Sequence, residues 1–206
     1  MSLSAPSNDN GNGKVLVDYH TTDYRGFAFV RHVTHGLLLL HCTRKPQKGH
    51  HFQLPGGHID EAEFLLAAQS RNFCEESQLL HATRAGTARE LYEETGMDVR
   101  DTPERLEPLI LRSIEECNDK HKYPFAMKSK MFFRLNVNDE DFITQSGGGL
   151  VGPMGSDGTH LRLRLSVEHS GYKFEKDLEK ASDMLEKHSG GAGSKALRKA
   201  IELGSL

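Results

Sequence analysis

With 206 residues, 36% hydrophobic and 27% charged, the chain carries enough apolar material for a core of its own. Its net charge of −3 excludes a global electrostatic pull toward nucleic acid or anionic membrane. No apolar run reaches the roughly 18 residues of a membrane span. Three cysteines, Cys42, Cys74 and Cys117, are odd in number and lack Cys-x-x-Cys spacing, which argues against a disulfide framework or a zinc site. Reduced thiols in an intracellular compartment are the expectation.

Residues 1–13 are small and polar, without the basic start and apolar centre of a signal peptide, and read as a disordered tail. The last three residues, Gly-Ser-Leu, are not the peroxisomal Ser-Lys-Leu. A cytoplasmic location is therefore expected. Strand patterns follow. Lys14–His20 carries Val15, Leu16, Val17 and Tyr19, and Arg25–Val33 alternates Phe27, Phe29 and Arg31 against Ala28 and Val30. A His35-Gly36 turn leads to Leu37–Leu40, four leucines in a row, the pattern of a strand buried on both faces. Next comes a basic loop holding Arg44, Lys45 and Lys48, ahead of Phe52-Gln53-Leu54. It reads either as a solvated hairpin turn or as a loop whose cations reach a substrate phosphate. His50 and His51 are adjacent and point apart in a strand, so they make a poor metal pair.

The next two stretches carry the chemistry. Leu54-Pro55-Gly56-Gly57 is a turn, and the run from Arg89 to Met97 reads as the end of a helix. Ala88, Leu91 and Thr95 share one face there, and Gly96 supplies a stop. Glu90, Glu93 and Glu94 stand at i, i+3 and i+4, which projects three carboxylates from one patch. At about 6 Å and an effective dielectric of 20, each pair repels by roughly 3 kcal/mol. A hard divalent cation turns that repulsion into ligation, because Mg²⁺ and Mn²⁺ favour carboxylate and water oxygens. Taken alone, the same residues also fit a solvated acidic helix face.

The combination resembles the box of the Nudix (MutT-like) hydrolases. That pattern is a glycine, five residues, a glutamate, seven residues, then Arg-Glu-aliphatic-x-Glu-Glu-x-Gly-aliphatic. Gly57 and Glu63 fit its first half, and residues 89–97 fit its second half throughout. One departure is plain. Residues 64–88 stand where the family has seven, an excess of 18, and His81 falls at the family spacing for the first glutamate. The segment holds Phe64, Leu65, Leu66, Ala68, Phe73, Leu79 and Leu80 and is helix-compatible, with Ser77 able to cap a fresh helix. It reads as a helical insertion over about residues 64–84, packed on the domain or against a second subunit rather than forming a mobile lid.

Beyond the box, Pro108–Ile114 and Ser129–Val137 read as strands. Between them, Lys120, Lys122, Tyr123 and Phe125 fit either a nucleotide-holding loop or an ordinary surface loop. The glycine-rich stretch 145–158 lacks a P-loop signature and reads as a loop. Thr159–His169 alternates Leu161, Leu163, Leu165 and Val167 against polar residues, as a strand does. Two helices follow, Leu178–Lys187 and Ser194–Leu203, and nothing marks a second domain after residue 14.

The resemblance implies an α/β fold, an α/β/α sandwich on a mixed sheet. It implies a metal-dependent hydrolase that cleaves the diphosphate linkage of a nucleoside diphosphate joined to another group. The metal ligands would be Glu90, Glu93, Glu94 and the Gly57 carbonyl, with Mg²⁺ or Mn²⁺ as the ion. Arg89 would hold a glutamate in place, within reach of Glu93 at i, i+4. Glu168, in the segment before an aromatic strand, would be an extra ligand or general base, or else an exposed glutamate. The expected partner is a small nucleotide or diphosphate substrate, with no membrane and no nucleic acid beyond a capped RNA end; a homodimer is one way to cover the insertion. The alternative is a Nudix-fold binding or regulatory module, although such modules usually lack one of the box glutamates.

Overall fold

The computed structural model describes residues 14–42, 51–69, 74–116, 125–143, 163–186 and 191–206. The tail 1–13, the loop with Arg44, Lys45 and Lys48, the stretch 117–124 and the glycine-rich stretch 145–158 lie outside the described residues, as do Phe73 and Cys117. In chain order the elements are β1 (Thr22–His32), β2 (Gly36–Cys42), β3 (His51–Gln53), β4 (Gly56–His58), α1 (Glu61–Ala68), α2 (Glu75–Thr95), β5 (Glu107–Glu116), β6 (Met127–Val137), α3 (Glu140–Ile143), β7 (His169–Glu175), α4 (Leu178–Leu185) and α5 (Ala192–Glu202).

β1 is the central strand. It pairs in parallel with β6 along its whole length, from Thr22 opposite Met127 to His32 opposite Val137. Its other edge is shared by β4, opposite Arg25–Phe27, and by β2, opposite Arg31–His32. β2 in turn carries β3 and β7, both antiparallel, and β5 closes the far edge against β6. The sheet is therefore mixed and seven-stranded among the described residues.

Period-two alternation sorts the apolar side chains into two cores. Ala28, Val30, Leu38, Leu40, Phe133, Leu135, Tyr172 and Phe174 meet Ala88 and Leu91 of α2 on one face. Phe29, Leu37, Leu39 and Phe132 meet Ala181 and Leu185 of α4 and Ala196 and Leu197 of α5 on the other. This is the expected three-layered α/β/α sandwich. All four leucines of Leu37–Leu40 are fully buried because each face of β2 is covered.

The segment in excess of the box pattern forms part of α1 and much of α2. α1 starts at a capping box in which Asp60 and Glu63 satisfy each other's backbone N–H groups. α2 starts at Glu75, two residues before Ser77, with Cys74 rather than Ser77 at the cap and its Sγ 3.3 Å from Ser77 Oγ. Phe64, Ala67, Leu79 and Ala82 build a third apolar cluster with Val17, Tyr24 and Ile59. The segment thus packs on the sheet domain, leaving Leu65 and Leu66 half exposed.

Lys14–His20 is not a strand. Its backbone groups are taken by a side chain instead: Leu16 N–H donates to Gln78 Oε1 at 2.8 Å, and Gln78 Nε2 donates to the Lys14 carbonyl at 2.9 Å. Val15 and Tyr19 pack on the third cluster, so this stretch lies over the two helices rather than beside another strand. Gln78 is itself buried. Gln78→Ala is therefore expected to cost about 2 kcal/mol, from two lost bonds and an orphaned amide. A lower denaturant midpoint and faster exchange of the Leu16 amide would show it; an unchanged midpoint would contradict it.

The alternating stretch 159–169 also departs from expectation. In its described part, residues 163–168 form no strand, and Val167 is fully exposed. Arg164 and Ser166 donate their N–H groups to the carbonyls of Thr95 and Glu94. They thereby satisfy acceptors that every helix C-terminus leaves open. The strand begins only at His169. Among the described residues Cys42 and Cys74 are free, and no helix is long and apolar enough to cross a membrane.

Candidate active site

α2 ends at Gly96, which takes the left-handed conformation (φ 76°) and donates its N–H to the Tyr92 carbonyl. This stop fixes where the last two turns, carrying Arg89, Glu90, Glu93 and Glu94, meet the Gly56–Gly57 strand. The approach is close. A Cβ at Gly57 would stand 2.5 Å from Glu90 Oε2, so glycine leaves room for the carboxylate where Arg89 holds it, and a larger residue would push it aside.

Arg89 organises the acidic patch. Its Nε donates to Glu63 Oε1 at 2.8 Å, and Nη1 reaches Glu90 Oε1 at 2.9 Å and Glu93 Oε2 at 3.3 Å. Its Nη2 donates to the His58 carbonyl at 2.9 Å and lies 3.2 Å from Asp60. Glu63 is thus brought to the arginine despite the 18 extra residues between them, because α1 and α2 fold back on each other. Burial opposes the charge on Arg89, but Glu63, Glu90 and Asp60 outweigh it and raise its pKa.

Glu94 is held differently. Its side chain is buried, and Oε2 accepts the Gly56 N–H at 2.7 Å. Oε1 lies 3.5 Å from Gln53 Nε2 and 3.6 Å from His169 Nε2. Burial pushes the Glu94 carboxyl up to about 8; the Gly56 N–H opposes this, and Glu90 and Glu93 add to it. Burial also raises Glu90, against the pull of Arg89. A buried Glu94 with no cationic side chain paired to it among the described residues, beside Glu90 and Glu93 that share the single charge of Arg89, is an arrangement that a divalent cation would relieve. The donors available, carboxylate oxygens and the Gly57 carbonyl, are of the hard type that Mg²⁺ or Mn²⁺ takes. The residues fit such an ion, although Glu93 is turned outward to Arg89 and the three carboxylates do not converge on one point.

From the segment after residue 163, His169 reaches Glu94, and Glu168 belongs to the turn that precedes β7. His169 is fully buried, with Nδ1 3.0 Å from Ser166 Oγ and Nε2 2.7 Å from Gln53 Nε2. Burial, assisted by His51, lowers its pKa to about 4, so it is neutral. Sequence pattern marked the Glu168-His169 pair ahead of an aromatic strand but pointed to Glu168 within it, and Gln53 carried no mark at all.

Elsewhere, among the described residues, one His/Asp trio brings its ligand atoms within 4.8 Å of one another: His32, His35 and Asp139. His32 Nδ1 accepts the N–H groups of Thr34 and His35, which leaves the proton on Nε2, 2.9 Å from Asp139 Oδ1 but off the line of a hydrogen bond. A protonated Nε2 has no lone pair for a metal, so this trio is a turn-stabilising histidine beside a carboxylate.

No protein-family model and no curated protein matches the sequence. Solved structures do. The dihydroneopterin triphosphate pyrophosphohydrolase of E. coli is similar over 87% of this chain and 95% of its own, at 14% identity and a TM-score of 0.51. A bifunctional NMN adenylyltransferase/ADP ribose pyrophosphatase from Francisella tularensis is similar over 91% of this chain and 43% of its own, at 12% identity and 0.50. A mutT/nudix family protein from Listeria innocua is similar over 89% and 94%, at 18% identity and 0.45. At these identities the likeness is one of fold. The chain has a Nudix-like α/β/α fold.

Proposed function

We propose that the protein is a metal-dependent hydrolase of the diphosphate linkage in a nucleoside diphosphate joined to another group. The observation that carries this reading is that Glu90, Glu93 and Glu94 are all present on the last two turns of α2, against a glycine that admits Glu90. Two of the fold relatives are named as a pyrophosphohydrolase and a pyrophosphatase, which supports the reaction class. Fold alone would not.

Glu90, Glu93, Glu94 and the Gly57 carbonyl would hold Mg²⁺ or Mn²⁺. When bound, such an ion would supply charge neutralisation at the substrate phosphates and activation of the attacking water. Arg89 keeps Glu63, Glu90 and Glu93 in register, and Glu90 is placed to orient or deprotonate the attacking water. Water adds to one phosphorus, the bridging P–O bond breaks, and a nucleoside monophosphate and a phosphorylated second group leave. Arg44, Lys45 and Lys48, in the stretch between β2 and β3 that lies outside the described residues, are proposed to meet substrate phosphate.

Glu168 is kept as the proposed further ligand or general base. Glu168→Gln is expected to lower kcat with little change in KM, since its contribution belongs to the transition state. Activity within twofold of wild type, a difference of about 0.4 kcal/mol, would return Glu168 to the surface.

The test is a screen of the purified chain, with Mg²⁺ or Mn²⁺, against nucleoside triphosphates, nucleotide sugars, dinucleoside polyphosphates, capped RNA ends and inositol pyrophosphates. Cleavage of an anhydride in one class is expected. Nucleotide bound but never hydrolysed would replace the enzyme by a binding module.

A further inference from the structure

Glu94 differs from its two neighbours on α2 in that nothing on its own helix holds its carboxylate. Three strands do. β4 supplies the Gly56 N–H to Oε2 at 2.7 Å, β3 supplies the Gln53 amide to Oε1 at 3.5 Å, and β7 supplies His169, 2.7 Å from that same amide nitrogen. The roles around this group follow once Glu94 is ionised, as it must be to hold a cation. Its Oε1 then accepts, so Gln53 turns its NH₂ toward it. The other N–H of that NH₂ then donates to His169 Nε2, which must carry a lone pair. The His169 proton therefore sits on Nδ1 and donates to Ser166 Oγ at 3.0 Å. Ser166 is itself anchored, since its backbone N–H donates to the Glu94 carbonyl at 3.2 Å. The circuit starts and ends at Glu94.

We infer that Gln53 and His169 are positioning residues for Glu94: His169 fixes the rotation of the Gln53 amide, and that amide fixes the orientation of the Glu94 carboxylate that would hold a cation. This inference rests on the function proposed above. With one N–H on each oxygen, Glu94 keeps its remaining lone pairs for a metal and cannot swing to Arg89 as Glu93 does. Groups that orient a ligand from behind typically change metal affinity or activity by about 10–100-fold when removed. Neither side chain needs to touch substrate to have this effect.

The experiment compares Mn²⁺ affinity, followed by the loss of the free-ion electron paramagnetic resonance signal, with steady-state hydrolysis. The variants are Gln53→Leu, His169→Leu and His169→Gln. The last keeps an acceptor oxygen near the place of Nε2. Circular dichroism checks the fold of each, and half-buried Gln53 provides the safer variant should His169→Leu fail to fold. The two leucine variants are expected to bind Mn²⁺ at least tenfold more weakly and to lose kcat with KM little changed. His169→Gln is expected to stay within about threefold of wild type on both measures. Wild-type Mn²⁺ affinity in Gln53→Leu would overturn the inference, and so would a His169→Gln variant as impaired as His169→Leu. A wild-type chain with no metal-dependent hydrolysis would instead remove the proposed function, a result read separately from the variant series.

Discussion

Glu94→Gln is expected to lower kcat/KM at least a thousandfold, about 4 kcal/mol of transition-state stabilisation, while leaving the fold intact. The amide is isosteric, and its oxygen can still accept the Gly56 N–H that meets Glu94 Oε2. What it cannot supply is a carboxylate for a divalent ion. The same substitution should make the metal-free chain less sensitive to pH. The Glu94 carboxyl is held at about 8 in the fold against a usual value of 4.5, chiefly by burial. A raised carboxyl binds its proton more tightly in the folded state. Its contribution to stability is therefore complete below pH 4.5 and is lost as pH rises toward 8. Denaturation midpoints of the metal-free wild type should fall across that window, and those of Glu94→Gln should fall less. Equal slopes would contradict the assignment.

The second large effect belongs to Arg89. Arg89→Ala would strip the counter-charge from Glu63 and Glu90, both mostly buried, and the donor from the His58 carbonyl. Removing one partner of a buried ion pair costs about 3–5 kcal/mol; with the arginine a quarter exposed, about 3 is expected here. Arg89→Lys would keep the charge and lose the fork that serves Glu63, Glu90 and the carbonyl at once. It should recover less than half of the stability. Chemical denaturation reads both variants, and a lysine variant as stable as wild type would mean that charge alone matters.

The sequence made some of this visible and hid the rest for physical reasons. The carboxylate patch was legible because Glu90, Glu93 and Glu94 lie on one helix, where spacing alone determines proximity. β1, β2, β6 and the two closing helices were legible because their apolar residues match the faces they bury. Lys14–His20 misled because its strand-like composition is satisfied by the Gln78 side chain, 62 residues from Leu16. Residues 163–168 misled because their N–H groups cap the end of α2 instead of joining a sheet. Gln53 and His169 are 116 positions apart and meet only because β3 and β7 both pair with β2. Strand order of that kind has no local signature. Glu63 shows the reverse: the insertion obscured a contact with Arg89 that the fold-back of α1 on α2 restores.

The central claim is that the α2 carboxylates, with Gly57, hold a divalent ion. Titrating Mn²⁺ into the wild-type chain and into Glu90→Gln/Glu93→Gln/Glu94→Gln tests it most directly, with the free ion read by electron paramagnetic resonance. Wild type should deplete the free-ion signal saturably, and the triple variant should leave it untouched at the same concentrations. Mn²⁺ taken up equally by both proteins would contradict the account.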